Sequence, residues 1–515
     1  MTDFLPLVPL IGLYAETHYR FRFFPFSLYY RREPEIIFDA PFRIEPGSAL
    51  PVTLLIKDAY QFPIELEEVT ILVSTGSAQL PLFRFPINRP LDCRFYHQIF
   101  DLNVSSLPPG QISVIPTLTY RLKGKQRRAV VDNHPGLSHR PLTVRKAADP
   151  LPLAPGWIAG ELHCHTSYGP DQVEFSAPLE VIKHNAAAMG LHFSALTDHS
   201  YDLDDLPDDY LHPDPDLVKW ELLQDESARL NRQGGPILLP GEELSCRNSK
   251  GQNIHLLILG NRQFISGSGD SAEKWLHTRS EYSVAEALKL VSPDAFVAAA
   301  HPLVPTPWLE KLLIRRGEWQ EDDLMLERLD GWQIANGSWG VDFQRGFNLW
   351  RKTAPSTKQI RIYGGNDAHG NFNRFRQVRI PMLTLHENDC NLFGRFTTRI
   401  KTAERTQEGI LRALKSAPCQ ISDGPSLDVI YTADNEFATI KWYSSEEFGC
   451  GNEIRIHNTS SQAEKPPEIV PLPRNSYSGE ILKIKLRGSS PVVELIVKTP
   501  DGQTHRSILN HPDPN

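Results

Sequence analysis

Cysteine is scarce in this chain of 515 residues. There are six, at Cys93, Cys164, Cys246, Cys390, Cys419 and Cys450, with no CxxC pair among them. That is too sparse for a disulfide-built fold and fits a reducing compartment. No stretch of about 18 apolar residues occurs, which argues against a transmembrane helix. The first residues, Met1-Thr-Asp-Phe-Leu-Pro-Leu-Val-Pro-Leu, have no basic stretch, and prolines break their short apolar run, so they do not read as a signal peptide. A cytoplasmic location is the expectation. Excess basic charge is also missing: 54 Lys and Arg against 62 Asp and Glu leave a net charge of −8. Such a chain has no bulk attraction to nucleic acid or to an anionic membrane, and neither is expected as a partner. Internal repeats and low-complexity tracts are absent as well.

What is present is ordinary globular material. Apolar residues make up 40% and charged residues 23%, too apolar a mixture for a disordered chain. The length suggests about three domains. Residues 1–150 hold seventeen prolines and no helical period. Their short apolar or alternating runs, among them Pro51-Val-Thr-Leu-Leu-Ile, Glu68-Val-Thr-Ile-Leu-Val and Gln111-Ile-Ser-Val-Ile, predict a β-sandwich. The aromatic cluster Phe21, Phe23, Phe24 and Phe26 reads as strand packing rather than a binding surface. Asp149-Pro-Leu-Pro-Leu-Ala-Pro-Gly156 reads as a linker.

From 157 to 418 the texture changes. Strand candidates at 158–165, 191–198, 236–244, 254–259, 295–301, 331–336 and 360–366 alternate with helix candidates, the first of them at 178–189 with Ser176 as its cap. The alternation predicts parallel βα units, either an open doubly wound sheet or a closed barrel. A helix over 405–417 ends the region. Apolar alternation then returns in 419–515, where a second β-sandwich is expected.

The histidines and carboxylates fall at the ends of these strands. His163-Cys-His165 closes the first, and positions i and i+2 of a strand share a face, so both imidazoles can grip one ion. Thr197-Asp198-His199 closes the second, and Pro240-Gly-Glu242-Glu243 closes the third. His255 lies in the fourth, Ala300-His301-Pro302 closes the fifth, and Asn366-Asp367-Ala-His369 closes the seventh. One histidine at a strand end is ordinary. Six segments in register point to a metal centre of imidazole and carboxylate, suited to Zn, Mn or Fe. The Asp202, Asp204, Asp205, Asp208 and Asp209 run is expected to be a solvated loop. Asn336, at the end of the sixth strand, is expected to be a turn residue, with substrate contact as the alternative.

This ordered set resembles the polymerase-and-histidinol-phosphatase (PHP) superfamily. The phrase Ile421-Ser-Asp-Gly-Pro425, with the flanking β segments, resembles that superfamily's carbaryl-hydrolase-like branch. The resemblance implies an α/β fold: a distorted (βα)7 barrel over 157–418, flanked by β-sandwich-like domains at 1–150 and 419–515. It implies two or three divalent metal ions. His163, His165, Glu243 and Asp367 would hold the first. Glu243 would bridge to a second, completed by His255 and His301. His199 and His369 would serve a third. There Asp171, one residue later than the family's usual position, either binds or is a plain turn residue. Glu243, His199 and Asp198 would be the catalytic residues, with Asp198 orienting a ligand and His199 a source of the leaving-group proton. Arg374, Arg376 and Arg379 would either clamp a phosphate or form salt bridges on the rim.

The function expected on this basis is hydrolysis of a small-molecule phosphoester by a metal-bridged hydroxide. The alternatives are a carboxyl- or carbamoyl-ester hydrolase with the same metals, a proofreading nuclease, and a non-catalytic binding module with a degenerate barrel. The oligomeric state has no sequence signature.

Overall fold

The computed structural model describes residues 33–134, 138–169, 176–206, 209–269, 278–353, 360–377, 386–388, 390–432, 437–459, 463–473, 475–484 and 492–510. By its internal contacts the chain forms two units. One comprises Met1–Pro150, Pro170–Gly190 and His369–Leu392. The other comprises Leu151–Gly169, Leu191–Ala368 and Phe393–Asn515.

The first unit contains two sheets, antiparallel except where Arg43–Ile44 runs parallel to Leu142–Lys146. Glu35–Asp39, Leu50–Lys57 and Phe95–Leu102 form one sheet. The second sheet is built on the long strand Gly110–Leu122, flanked by Leu142–Lys146 and Ile64–Ser74. Apolar residues of both, such as Phe38, Leu54, Ile71 and Leu118, share one core. Alternation drives this layer: Ile64–Ser74 buries every other residue through most of its length. The aromatic cluster Phe21–Phe26 lies outside the described residues. The helix Leu179–Met189 also belongs to this unit. Its cap is not Ser176 but Pro178, which offers no side-chain oxygen. Ser176 instead takes a left-handed backbone at φ 29°.

The second unit does not form the expected (βα)7 barrel, and the α/β class is not met: the chain is predominantly β. The seven strands expected in the 157–366 region lie within one sheet of thirteen. In spatial order these seven are Arg361–Gly365, Gly331–Asn336, Phe296–Ala299, Asn253–Leu259, Ile237–Arg247, Phe193–Leu196 and Trp157–Cys164. The sheet then runs on through Thr397–Lys401 and Cys419–Ser422 into the C-terminal strands Thr504–Asn510, Val492–Lys498, Cys450–His457 and Glu468–Pro471.

Pairing is mixed. Phe193–Leu196 runs parallel to both of its neighbours, whereas Asn253–Leu259 runs antiparallel to both of its own. The physical reason is legible in the spacing. Only Asn248–Gln252 separates Ile237–Arg247 from Asn253–Leu259, and a parallel crossover needs roughly a dozen residues or more. Among the described residues, the two ends that would close a barrel meet at a single bridge, Cys164 with Ala368.

The strands nearest the site are buried on both faces. Trp157–Cys164 and Asn253–Leu259 have no exposed residue, and such strands read as near-continuous apolar runs. A smaller sheet, Ser426–Tyr431, Ala438–Tyr443 and Ser478–Ile484, shares a core with the C-terminal strands, including Trp442, Leu495 and Leu509. Trp157, from the first strand of the site region, joins that core and donates its indole N–H to Asp428 at 3.2 Å. Among the described residues, no helix is long and apolar enough to cross a membrane.

Candidate metal centre

His163 sits near the end of the strand Trp157–Cys164, and His165 follows it by two residues. The pleat puts both rings on one face, 5.3 Å apart between centroids. Asp367 reaches them because the chain around it is clipped to the same strand. Ala368 donates its N–H to the His163 carbonyl at 3.2 Å, and its own carbonyl accepts the His165 N–H at 2.8 Å. A Cβ at Gly365 would stand 2.9 Å from the Gln333 amide and 3.0 Å from the His163 Cβ, so a side chain at this strand end would press on both.

Glu161 locks the same corner from beneath. It accepts the His163 N–H at 3.0 Å, the Asn366 N–H at 3.1 Å and the Gly394 N–H at 2.8 Å. Burial pushes its carboxyl up to about 7, against the pull of these hydrogen bonds.

Glu243 is the centre of the arrangement. It lies in Ile237–Arg247, fully buried, and its N–H is held by the Asp198 carbonyl at 2.9 Å. Its Oε2 has three imidazoles around it: His163 Nε2 at 3.2 Å, His165 Nε2 at 3.3 Å and His199 Nδ1 at 3.2 Å. Its Oε1 faces two more, His255 Nδ1 at 2.6 Å and His301 Nε2 at 2.9 Å. Asp367 Oδ1 lies 3.2 Å from His163 Nε2 and 3.1 Å from His165 Nε2. Burial opposes ionisation of Glu243, but the imidazoles of His255, His163 and His199 outweigh it and hold the carboxyl well below the usual range. For His301, burial outweighs Glu243 and lowers the pKa, which favours the neutral form that ligates metal. Two of these residues have left-handed backbones, His301 at φ 62° and Asp367 at φ 51°. Strain of this kind in non-glycine residues collects at functional sites.

The donors fit divalent metal ions. Glu243 Oε2 accepts no hydrogen bond, although three imidazole nitrogens stand within 3.3 Å of it. The mutual spacing of the donors also suits an ion. Metal–ligand bonds of about 2.0–2.2 Å in a tetrahedron give ligand–ligand edges of about 3.3–3.6 Å, and an octahedron gives about 2.8–3.1 Å. The set His163, His165, Glu243 and Asp367 spans these values at 3.1–3.3 Å. A second group, His199, Glu243 and His255, also brings its donor atoms together, so Glu243 is common to both.

The neighbouring shell contains residues to which the sequence assigned no role. Gln333 offers its Oε1 to His163 Nδ1 at 2.8 Å, which fixes that ring with Nε2 facing the cluster. Arg316 places Nη1 2.9 Å from His255 Nε2. Gln333 carried no signal beyond its place on a strand beside Asn336. Arg316 lies in an irregular segment after a short helix, and nothing local marks it.

Other expected site residues fall differently. Asp198 turns away from the cluster and accepts from the Thr166 N–H at 2.6 Å, the Thr166 hydroxyl at 2.8 Å and the Gly169 N–H at 3.1 Å. It is a positioning residue for the 166–169 loop. Glu242 also faces away, accepting from the Ser200 hydroxyl at 2.9 Å, and burial pushes its carboxyl up to about 8. Asn336 is not a simple turn residue: its amide lies 3.4 Å from Asp367 Oδ2. Asp202, Asp204 and Asp205 are buried rather than solvated.

His369 belongs to the first unit, where it is buried and its carbonyl accepts the Ser176 N–H. Arg374 belongs there as well. It is buried, with its guanidinium on the Ser138 hydroxyl at 3.3 Å and the Pro141 carbonyl at 3.2 Å. Those contacts hold a loop and are neither the phosphate clamp nor the rim salt bridge that were the two expectations for it. Arg376 lies in the strand Phe375–Gln377, opposite Glu387. Asp171, Arg379 and Asp208 fall outside the described residues.

A cavity of about 320 Å³ opens against the cluster, with His255, His301, Asp367, Arg316 and Asn336 in its walls.

No family model matches the chain, and no curated protein does either. Solved structures that it resembles include a Bacteroides uniformis β-glucuronidase, 12% identical, with 93% of this chain covering 60% of that one at a TM-score of 0.17. A putative β-galactosidase from Bacteroides fragilis is 10% identical, with 93% and 74% covered at a TM-score of 0.19. A Parabacteroides merdae β-glucuronidase is 9% identical, with 92% and 63% covered at a TM-score of 0.18. The chain thus spans under two thirds of the length of two of these three. Similarities this low carry no argument about fold or chemistry.

Proposed function

We propose that this chain is a metal-dependent hydrolase of small-molecule esters, most simply a phosphoesterase with a PHP-like centre. The observation that carries the reading is Glu243. One buried carboxylate presents one oxygen to His163, His165 and His199 and the other to His255 and His301. A carboxylate shared in this way is how a protein holds two cations side by side.

Zn, Mn or Fe ions bound there would supply Lewis acidity and a water acidified to near neutral pH. His163, His165, Glu243 and Asp367 would hold one ion. Glu243, His255 and either His199 or His301 would hold the second. Gln333 orients His163. Asp198 fixes the loop beside His165, and Glu161 ties the His163 strand to the Asp367 loop. The cavity beside His255 and His301 admits a substrate to this face. If His301 completes the second site, His199, stacked on Tyr201 at 4.7 Å between centroids, would be the residue to hold or release a proton at the leaving group.

The test combines metal analysis with a substrate panel. Protein purified without chelator should hold two divalent ions per chain, lose activity on chelation and regain it on metal return. The panel should include aryl phosphates, an aryl acetate, an aryl carbamate and aryl glycosides. Hydrolysis of the phosphates supports the reading. Hydrolysis of the acetate or carbamate alone would move the substrate class while keeping the centre. Glycoside hydrolysis that survives chelation would overturn both.

A further inference from the structure

The cavity beside His255 and His301 is not isolated. A larger one of about 720 Å³ lies against it, and Trp319 stands in the walls of both. Their boundary runs along 302–304, where Pro302 and Val304 line the smaller cavity and Leu303 lines the larger. The Trp319 backbone N–H donates to the Pro302 carbonyl at 3.0 Å, which fixes the residue at this boundary. A second junction is as tight: a Cβ at Gly317, in the smaller wall, would stand 2.5 Å from the Gln252 Cβ in the larger.

Trp319 carries an unused donor. It is 4% exposed, and its indole nitrogen has no hydrogen-bond partner. A buried indole N–H ordinarily finds an acceptor, as Trp332 does in the Leu324 carbonyl at 3.0 Å and Trp350 in the Ile360 carbonyl at 2.8 Å. Trp339 and Trp442 share the lack of one, but of these three only Trp319 lines the two cavities. The acceptor it needs comes from what enters them.

The larger cavity supplies charge. Among the described residues its charged lining groups are Lys250, Lys311, Arg345, Glu318 and Glu321. Arg345 and Glu318 neutralise each other at 2.7 Å, and Arg345 also donates to the Leu303 carbonyl at 2.9 Å. Neither lysine ammonium has a hydrogen bond or an ion pair. Two uncommitted cations thus face the single carboxylate of Glu321. Both lysines are exposed, so an anion entering the cavity displaces water rather than a protein partner.

We propose that the two cavities form one bipartite substrate site. The reacting ester lies in the smaller, and the far end of the same molecule lies in the larger. That far end carries a second anionic group, such as a carboxylate, received by Lys250 and Lys311, while the Trp319 indole donates to an acceptor in the stretch between. A substrate confined to the smaller cavity of about 320 Å³ would leave the indole and both ammoniums unmet. The inference rests on the metal-hydrolase reading for the smaller cavity. It goes beyond that reading by assigning the substrate's length and the charge at its non-reacting end.

The experiment uses the metal-loaded full chain and three arylphosphonates, which bind without being hydrolysed. Phenylphosphonate fits the smaller cavity alone. The 4-butyrylamino derivative adds an amide acceptor, and the 4-succinylamino derivative adds the same amide and a distal carboxylate. Binding is measured by calorimetry for the wild type, Trp319→Phe and the double variant Lys250→Gln, Lys311→Gln, with metal content determined for each. The wild type should prefer the succinyl to the butyryl probe by at least about 5-fold at low ionic strength, and salt should shrink the preference, as it does for exposed charges. The lysine double variant should lose that preference and keep its affinity for phenylphosphonate. Trp319→Phe, which retains a ring but no N–H, should weaken both amide probes by about 3- to 10-fold, the worth of one neutral hydrogen bond, and leave phenylphosphonate and metal unchanged. Equal affinity for the succinyl and butyryl probes, or a preference that survives the lysine double variant, overturns the inference while phenylphosphonate binding upholds the smaller site. Trp319→Phe that weakens phenylphosphonate as much as the amide probes makes Trp319 a structural support and overturns its assigned role. A wild type that holds no metal and binds none of the three defeats the underlying reading.

Discussion

Two regions bury histidine against carboxylate, and they do so in opposite ways. In the C-terminal strands His457 meets Glu494 at 2.8 Å, one ring to one carboxylate, both nearly inaccessible. In the first unit His134 meets Glu35 at 2.6 Å in the same fashion. Each of these pairs is a hydrogen bond with one imidazole donor and one carboxylate acceptor. At Glu243 five imidazoles crowd one carboxylate within 3.3 Å. A carboxylate has about four lone-pair sites, and each neutral ring has one N–H to give. Rings whose second nitrogen is held elsewhere, as His163 is by Gln333, cannot all be donors. One-to-one pairing is a structural device. Five-to-one convergence could hold a cation, and the contrast is what sets this cluster apart from an ordinary buried histidine.

The contrast breaks most sharply at its centre. Glu243→Gln keeps the shape and removes the shared charge, so bound metal should fall and ester hydrolysis should drop by at least ~10²-fold, since even supporting residues of a metal site cost 10- to 100-fold. Glu494→Gln, the matching change in the one-to-one pair, should leave metal content unchanged. Metal analysis of both variants decides the point, and equal behaviour would erase the distinction.

Next in size is the supporting shell. Gln333→Ala frees the His163 ring to rotate, and metal affinity should fall by about 10- to 100-fold. A competitive chelator titration would read that loss. Activity at saturating metal should recover if orientation is the whole of its role.

A smaller effect belongs to the pair itself. His457→Ala leaves the Glu494 carboxylate with Arg506 at 3.5 Å as its remaining partner. Unfolding free energy should drop by about 1–3 kcal/mol, the cost of removing one partner of a buried hydrogen bond. Metal content should stay at the wild-type value, and denaturant titration with metal analysis checks both.

The smallest effect is the pH dependence of a more open pair. Burial lowers the His505 pKa, but the hydrogen bond and charge of Asp423 at 3.2 Å outweigh it and raise the pKa above 6.5. A raised folded-state pKa stabilises the fold below 6.5, and that contribution is lost as the pH rises through the folded value. Asp423→Asn should therefore destabilise the protein more at about pH 6 than at about pH 9. A difference that is the same at both would show that Asp423 acts through its hydrogen bond to the Arg506 N–H instead.

Much of the site was legible because its signals are local. His163 and His165 share a face by the period of a strand, while the choice of Glu243 over Glu242 came only from the resemblance to the PHP pattern. The strand and helix candidates fall within a few residues of the observed elements, from Trp157–Cys164 to Gln407–Ser416. The architecture was not legible in the same way. Alternation of strands and helices suggested parallel units, but the five-residue connection at Asn248–Gln252 forces a hairpin, and the sheet continues into the C-terminal strands instead of closing. Arg374 shows the same limit at a single residue. A guanidinium close in sequence to a metal motif could be read as a phosphate clamp or a rim salt bridge, yet it donates to carbonyls more than 230 residues away.

The sequence by itself determined which donors exist and in what order the strands deliver them, because residue type and two-residue spacing are properties of a few adjacent peptides. Only the tertiary structure decided that both oxygens of Glu243 are shared, that Gln333 and Arg316 stand behind the ligands, and that Asp198 faces a loop. Those contacts join segments tens to hundreds of residues apart at about 3 Å, where hydrogen bonding depends on long-range packing that no local pattern encodes.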